Sequence, residues 1–241
     1  MLSGFFLKDT QWLWPAIVTV VILFGAIIIY GSFFIQANFF VDSINRGEEQ
    51  GIAFTFDDGP DPITTPKILS ILEAEKIKAT FFVIGEKAEK HPELIIEMDK
   101  KGHSIANHSY EHSNTIGFTL TEKLSSDIKK CSDVIENAIG KRPRMFRPPF
   151  GVTNPKFFRV LKELHLTSIG WSGRSLDTIT FNKSTLVNRV KRSVKNGAIL
   201  LFHDTQHITL EALPEIINHC RKNGIKIVSL QELIKLEPYE K

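Results

Sequence analysis

Four short stretches of this chain carry ionisable residues at spacings that could hold a metal ion and move protons: Asp57-Asp58-Gly59, His108 with His112, Arg147, and His203-Asp204. Two imidazoles four residues apart share one side of a helical turn, at a separation that one ion can bridge. A carboxylate completes such a site while leaving positions open for water and substrate, and Asp57-Asp58 can supply it. Adjacent carboxylates allow a division of labour, one binding the ion and its neighbour staying free as a general base on a water. A cation beside that base, such as Arg147, orients it and keeps it ionised. His203 can protonate a departing nitrogen. Each fragment alone has a plainer reading: two surface histidines, a turn at Asp-Gly, a structural ion pair at Arg147, a histidine satisfied by backbone at a strand end. Together, at the ends of strands, they favour catalysis.

The elements that must position these groups alternate along the chain. IAFTF at 52–56, ATFFVI at 79–84, HSIAN at 103–107, MFR at 145–147, TSIGW at 167–171, AILLF at 198–202 and IKIVS at 225–229 are read as strands. Helices are predicted at 62–75, 91–101, 120–139 (with Thr119 or Thr121 as cap), 155–164, 184–195 and 210–223, with a last one ending near Leu236. Strands alternating with helices imply parallel pairing and right-handed crossovers, and about seven such units point to a barrel-like (β/α) fold. In such barrels the chemistry gathers at the C-terminal ends of the strands, where Asp57, Asp58, His108, His112, Arg147 and His203 fall.

TFDDG (55–59), GHSIANH (102–108), HSYEH (108–112), RPPFG (147–151) and LLFHD (200–204) resemble the successive signature motifs of the NodB-homology polysaccharide deacetylases, carbohydrate esterase family 4. The resemblance covers residues 51–236, with the motifs in the family's order and spacing. It implies a distorted (β/α) barrel and one divalent ion, commonly zinc or cobalt. It implies Asp58, His108 and His112 as the ligands and Asp57 as the base, held by Arg147. It further implies His203 as the acid, the Phe150 N–H as an oxyanion donor and Leu201 shaping a pocket for the acetyl methyl. His103 matches a position usually structural. One stretch departs from the pattern. Where the family typically reads like W-S-V-D-S-x-D-W, this chain has Trp171-Ser172-Gly173-Arg174-Ser175-Leu176-Asp177-Thr178. Arg174 replaces an aspartate that usually supports the acid, and Thr178 replaces an aromatic of the groove. Trp171, Arg174 and Asp177 are expected around the substrate, with Arg174 pointing into the groove and Asp177 supporting His203; in the alternative, Arg174 faces His203 and lowers its pKa.

Residues 12–34 carry no charge, and Trp12, Trp14 and Tyr30 sit near the two ends of this run. A stretch of that length can cross a bilayer with interfacial aromatics at its ends. It is apolar all round, unlike an amphipathic core helix, and no A-x-A pattern follows it, unlike a signal peptide. Lys8 before it and Arg46 after it slightly favour a cytoplasmic N-terminus and a catalytic domain outside. The expected layout is a cytoplasmic segment at 1–11, a transmembrane helix at 12–35, a linker at 36–50, the catalytic domain at 51–236 and a tail at 237–241.

The balance of the chain, with 42% hydrophobic and 24% charged residues, is that of a folded protein, and a net charge of +3 without a basic run gives nucleic-acid binding little support. Cys131 and Cys220 are far apart, with no ligand spacing around them. The resulting expectation is a membrane-tethered hydrolase of a carbon–nitrogen (non-peptide) bond, an N-deacetylase of amino sugars in a cell-envelope glycan such as peptidoglycan. Its expected partners are an acetylated glycan and the membrane; no obligate protein partner is indicated. Alternatives are an O-acetyl esterase, a deacetylase of a lipid-linked sugar, and a glycan-binding relic without activity.

Overall fold

Leu13–Phe33 forms α1 in the computed structural model, which describes residues 12–240. The segment expected to be cytoplasmic (1–11) and the final Lys241 lie outside the described residues. Helix α1 has a mean hydropathy of 2.5 over its most apolar window and is exposed along almost its whole length. At about 1.5 Å per residue its 21 residues match a hydrocarbon layer of about 30 Å. Its last turn is tied to the rest of the chain, where the Thr153 N–H donates to Ser32 O (2.9 Å) and the Thr153 hydroxyl to Gly31 O (3.2 Å).

The remaining chain builds one eight-stranded sheet in which every strand pair is parallel. The strands are β1 (Ser43–Ile44), β2 (Ile52–Asp57), β3 (Thr80–Val83), β4 (Ser104–Asn107), β5 (Met145–Phe146), β6 (Thr167–Ile169), β7 (Gly173–Arg174) and β8 (Ala198–His203). They lie in the order β1-β6-β5-β4-β3-β2-β8-β7. The sheet curls like a barrel but stays open between β1 and β7, each only two residues long. The crossovers are α2 (Thr65–Ala74), α3 and α4 (Gly85–Lys90, Pro92–Lys100), α5 (Thr121–Ile139), α6 (Pro155–Glu163) and α7 (Lys183–Ser193). Helices α8 (His207–Lys222) and α9 (Leu230–Ile234) follow β8.

Strand periodicity explains which groups reach the interior. Successive side chains point to opposite faces. Ile52, Phe54 and Phe56 of β2, with Ala198, Leu200 and Phe202 of β8, pack outward against the helices. Ala53, Ile199 and Leu201 face inward with Phe82, Ala106, Met145, Ile169 and Trp171, and Leu230 and Leu233 of α9 with Ile35 fill the same inner cluster. Continuing the inward set along each strand brings up Asp57 and His203, and the register sets them side by side: Ala53 opposite Ile199, Thr55 opposite Leu201, Asp57 opposite His203. Buried strands of this kind read as continuous apolar runs, which is why they were visible in the sequence.

Three expectations change. The linker at 36–50 carries β1, which pairs with β6, and Val41 and Ser43 are buried. The strand expected at 225–229 reduces to one bridge, Ile227 to Ile52, because the chain touches only the start of β2 before α9 begins. Neither Thr119 nor Thr121 caps α5: Leu120 holds the N-cap position, and no side chain bonds to the cap. Cys131 and Cys220 are free, buried thiols in one apolar cluster, and burial pushes both above the ordinary thiol range.

Candidate active site

Asp57 is the last residue of β2 and nearly fully buried. The chain turns sharply after it. Asp58 takes a left-handed conformation (φ 70°), which aspartate tolerates better than most residues. Gly59 is required next, because a Cβ there would stand 2.1 Å from the Asp204 carboxylate. Asp204, which the sequence grouped with the reactive rim, therefore lies under this turn, bonded to the Thr65 hydroxyl at 2.6 Å. The Lys87 ammonium donates to Asp58 O (2.8 Å) and holds the turn from the other side.

The histidines are not on a helix, as their spacing suggested. Residues 108–112 form a loop, and Ser109 (φ 65°) and His112 (φ 50°) both sit in the left-handed region. Such conformations cost energy and persist where surroundings over-determine them. Here the surroundings are specific. The Asp127 carboxylate of α5 accepts from the Tyr110 N–H (3.0 Å) and the Glu111 N–H (2.9 Å). The Asn107 amide donates to Ile128 O and Ser132 Oγ, while its oxygen accepts from the Ser109 N–H. Ser109 Oγ accepts from the His112 N–H. Asp127 and Ser132 were not found from the sequence; they lie on a helix among other polar residues, and only the fold marks them.

The result is a convergent donor set. One ligand atom each from Asp58, His108 and His112 fall within 4.8 Å of one another. Asp58 Oδ1 lies 3.4 Å from His108 Nε2 and 3.3 Å from His112 Nε2. His108 Nδ1 donates to Arg147 O at 2.7 Å, which fixes the tautomer and leaves Nε2 as a lone-pair donor, as an orienting partner behind a metal ligand does. Burial pushes the His112 pKa down to about 4, with the His108 charge adding to the effect, so His112 is neutral and able to ligate near pH 7. Burial opposes charge on Asp58, but His108, His203 and His112 hold its carboxyl well below the usual carboxylate range. Two imidazoles and one carboxylate therefore fit a single divalent ion.

Asp57 is kept apart from this set by Arg147, which is completely buried inside the barrel. Its guanidinium donates to Asp57 Oδ1 (2.7 Å), Thr55 Oγ1 (2.9 Å), Ile169 O (3.1 Å) and Gly170 O (2.9 Å), and lies 4.0 Å over the Phe82 ring. A buried guanidinium with this many partners is fixed, and it fixes the carboxylate. Asp57 Oδ2 remains, 3.8 Å from His108 Nε2.

Across the pocket, His203 Nδ1 meets Asp177 Oδ1 at 2.7 Å, and the His203 N–H donates to Asp177 Oδ2 at 2.7 Å. Thr209 Oγ1 donates to the same Oδ2. Burial alone would lower the His203 pKa. The Asp177 hydrogen bond and charge, with the charges of Asp57 and Asp58, outweigh it and hold the imidazolium above the ordinary histidine range. Asp177 thus bonds both the ring and the backbone N–H of His203.

These groups share a pocket of about 210 Å³ with Pro148, Phe150, Gly151, Trp171, Arg174, Thr178 and Leu201. Phe150 is left-handed (φ 59°), with its ring 4.7 Å from that of His112. Gly151 (φ 71°) must lack a side chain, because a Cβ would meet Trp171 at 2.6 Å. The Arg174 guanidinium stands 5.7 Å from the Trp171 ring. A larger cleft of about 630 Å³ lies between the end of α1 and the catalytic domain, walled by Ile28, Phe33, Phe118 and Val152. It lacks a metal-binding or acid–base constellation and shares only Phe150 with the catalytic pocket.

Comparisons with known proteins agree with this geometry. Residues 45–169 match the family model described as polysaccharide deacetylase. A peptidoglycan-N-acetylglucosamine deacetylase of Bacillus cereus is 36% identical over 192 residues, covering 78% of this chain and 89% of that protein. The peptidoglycan-N-acetylmuramic acid deacetylase PdaC of Bacillus subtilis is 35% identical over 182 residues, covering 76% of this chain but 38% of the longer relative. A crystal structure of a peptidoglycan N-acetylglucosamine deacetylase bound to 4-naphthalen-1-yl-N-oxidanyl-benzamide superposes with a TM-score of 0.78 at 29% identity, covering 81% of this chain and 94% of that one.

Proposed function

This chain belongs to the polysaccharide deacetylase family, and from that premise we propose that it hydrolyses the N-acetyl group of amino sugars in a cell-envelope glycan, peptidoglycan or a related polysaccharide. One observation carries the reading: the Asp58-His108-His112 donor set, an Asp57 held by Arg147 and a His203 held by Asp177 all open on one pocket. A glycan-binding relic would have no use for a base and an acid built with this much support.

Asp58, His108 and His112 would hold the ion, for which the two-imidazole, one-carboxylate set suits zinc, with cobalt as an alternative. A divalent ion bound there supplies Lewis acidity to the acetamide carbonyl and acidifies water. Asp57, with Oδ1 engaged by Arg147, takes the proton of the attacking water on its free oxygen. The Phe150 N–H, at the pocket wall, donates to the developing oxyanion. Leu201 and Trp171 offer apolar surface to the acetyl methyl. His203 gives its Nε2 proton to the nitrogen as the carbon–nitrogen bond breaks, and Asp177 stabilises the imidazolium until then. The products are acetate and a free amino sugar.

Helix α1 is long and apolar enough to cross a membrane, a test that a signal sequence also passes. We read it as an uncleaved single-pass anchor with the catalytic domain outside, because no cleavage pattern follows it. A second substrate reading, a lipid-linked amino sugar, is favoured by the apolar cleft along α1, which meets the catalytic pocket at Phe150. Acetate release by the full-length chain in detergent from peptidoglycan, N-acetylglucosamine oligomers, acetylated xylan and a lipid-linked N-acetyl sugar tests these readings. Preference for the ester substrate would replace N-deacetylation, and no release from any of them with the ion bound would end the enzymatic reading.

A further inference from the structure

We propose that Arg174 forms an anion-binding subsite, so that the amino sugar accepted carries a carboxylate or phosphate close to its acetamido group. This deepens the deacetylase reading and rests on it. Strand β7 pairs with β8 so that Arg174 lies opposite Leu201 in register, two residues before His203 on β8. The guanidinium is thereby carried to the rim of the catalytic pocket, where its side chain is exposed beside Trp171. Among the described residues, no carboxylate lies within ion-pair distance of it, and no acceptor takes a hydrogen bond from it.

Its neighbours in the pocket are all matched. Arg147 is paired with Asp57, His203 with Asp177, and Asp58 serves the donor set. Among the described residues, Arg174 is the cation lining this pocket whose charge is committed to no carboxylate. A planar fork of donors resting near an aromatic face is suited to a two-oxygen anion. Thr178 contributes only a small side chain to the same pocket, which leaves room for a substituent on the sugar beside Arg174. A carboxylate on an ether next to the acetamido-bearing carbon, as in N-acetylmuramic acid, and a phosphate on the sugar present the same chemistry.

The test uses the zinc-loaded full-length chain carrying Asp57→Asn, so that ligands bind without turnover. Dissociation constants are measured for a neutral N-acetylglucosamine tetramer, for a tetramer alternating N-acetylglucosamine with N-acetylmuramic acid, and for a phosphorylated N-acetylglucosamine oligomer. The two anionic arms tell carboxylate from phosphate. At least one should bind about tenfold more tightly than the neutral chain. That preference should shrink at high salt, be lost in Arg174→Gln and return in part in Arg174→Lys. Equal affinities for charged and neutral chains, or a preference that survives Arg174→Gln, would overturn the subsite. Acetate release by the chain with Asp57 intact is measured on the same oligomers. Anion preference without acetate would strike the deacetylase reading alone, and acetate without anion preference would strike the subsite alone.

Discussion

On the wall of the pocket built from β2, β4 and β5, every reactive side chain is held from behind, whereas on the wall that leaves β7 the chain is open. Arg147 spends its donors on Asp57, Thr55 and two carbonyls, and the histidine loop is pinned by Asp127 and Asn107. Beyond Arg174, by contrast, Ile179 is 66% and Phe181 97% exposed, and only Arg189 reaches in from α7 to bond Ser175 O and Thr180. Asp177, buried like Ser175 and Thr180, turns back into the fold and bonds His203. On the proposed roles, the groups that would set the rate are fixed by packing and several hydrogen bonds, and the one that would choose the substrate stands on a less constrained segment.

This contrast orders the expected effects of change. Removing the ion should be the most severe: chelation should abolish turnover, and Asp58→Asn should lower the zinc content measured at fixed free metal. Asp57→Asn should keep the ion yet lose about 10²–10⁴-fold in kcat, as expected when a general base is removed. Should the first of these variants keep its zinc and the second lose it, the two carboxylates have exchanged roles. Arg147→Ala strands a buried carboxylate and should cost about 3–5 kcal/mol in denaturant unfolding as well as activity. A loss of activity with unchanged stability would mean that the pair is not buried as described.

Asp177→Asn acts through pH. The His203 pKa is raised by Asp177 against burial, so imidazolium persists to higher pH in the native chain. Without the carboxylate, burial dominates, the proton leaves at lower pH, and the alkaline limb of kcat/KM should move to lower pH. The deficit should be small in acid and grow as pH rises. The smallest effect is expected on the open wall: Arg174→Ala should raise KM on the natural substrate by roughly three- to tenfold and leave that limb in place. Were the limb to move upward instead, the guanidinium would be acting on His203 and the contrast between the walls would fail.

The better-held wall was also the more legible one in the sequence. Continuous apolar runs such as IAFTF and AILLF announced buried strands, and the ionisable residues stood at their ends, where this architecture delivers them. The edge strands β1 and β7 are two residues long, and no apolar run marks them in the sequence. The run IKIVS at 225–229 has the apolar content of a strand, yet it meets β2 at one bridge. The spacing of His108 and His112 mimicked a helical turn, and the left-handed residues that join them cannot be read from residue type when they are serine and histidine. Arg174 was visible as a departure from the family pattern, but its placement beside Trp171 needed the register of β7 on β8.

The division of labour around one ion is tested most directly by acetate release from N-acetylated peptidoglycan, followed for three preparations of the full-length chain: zinc-loaded, chelated, and zinc-loaded Asp57→Asn. Acetate should come from the first, stop in the second and fall by orders of magnitude in the third while zinc stays bound. Acetate at an undiminished rate from the chelated chain, or from Asp57→Asn, would contradict the account.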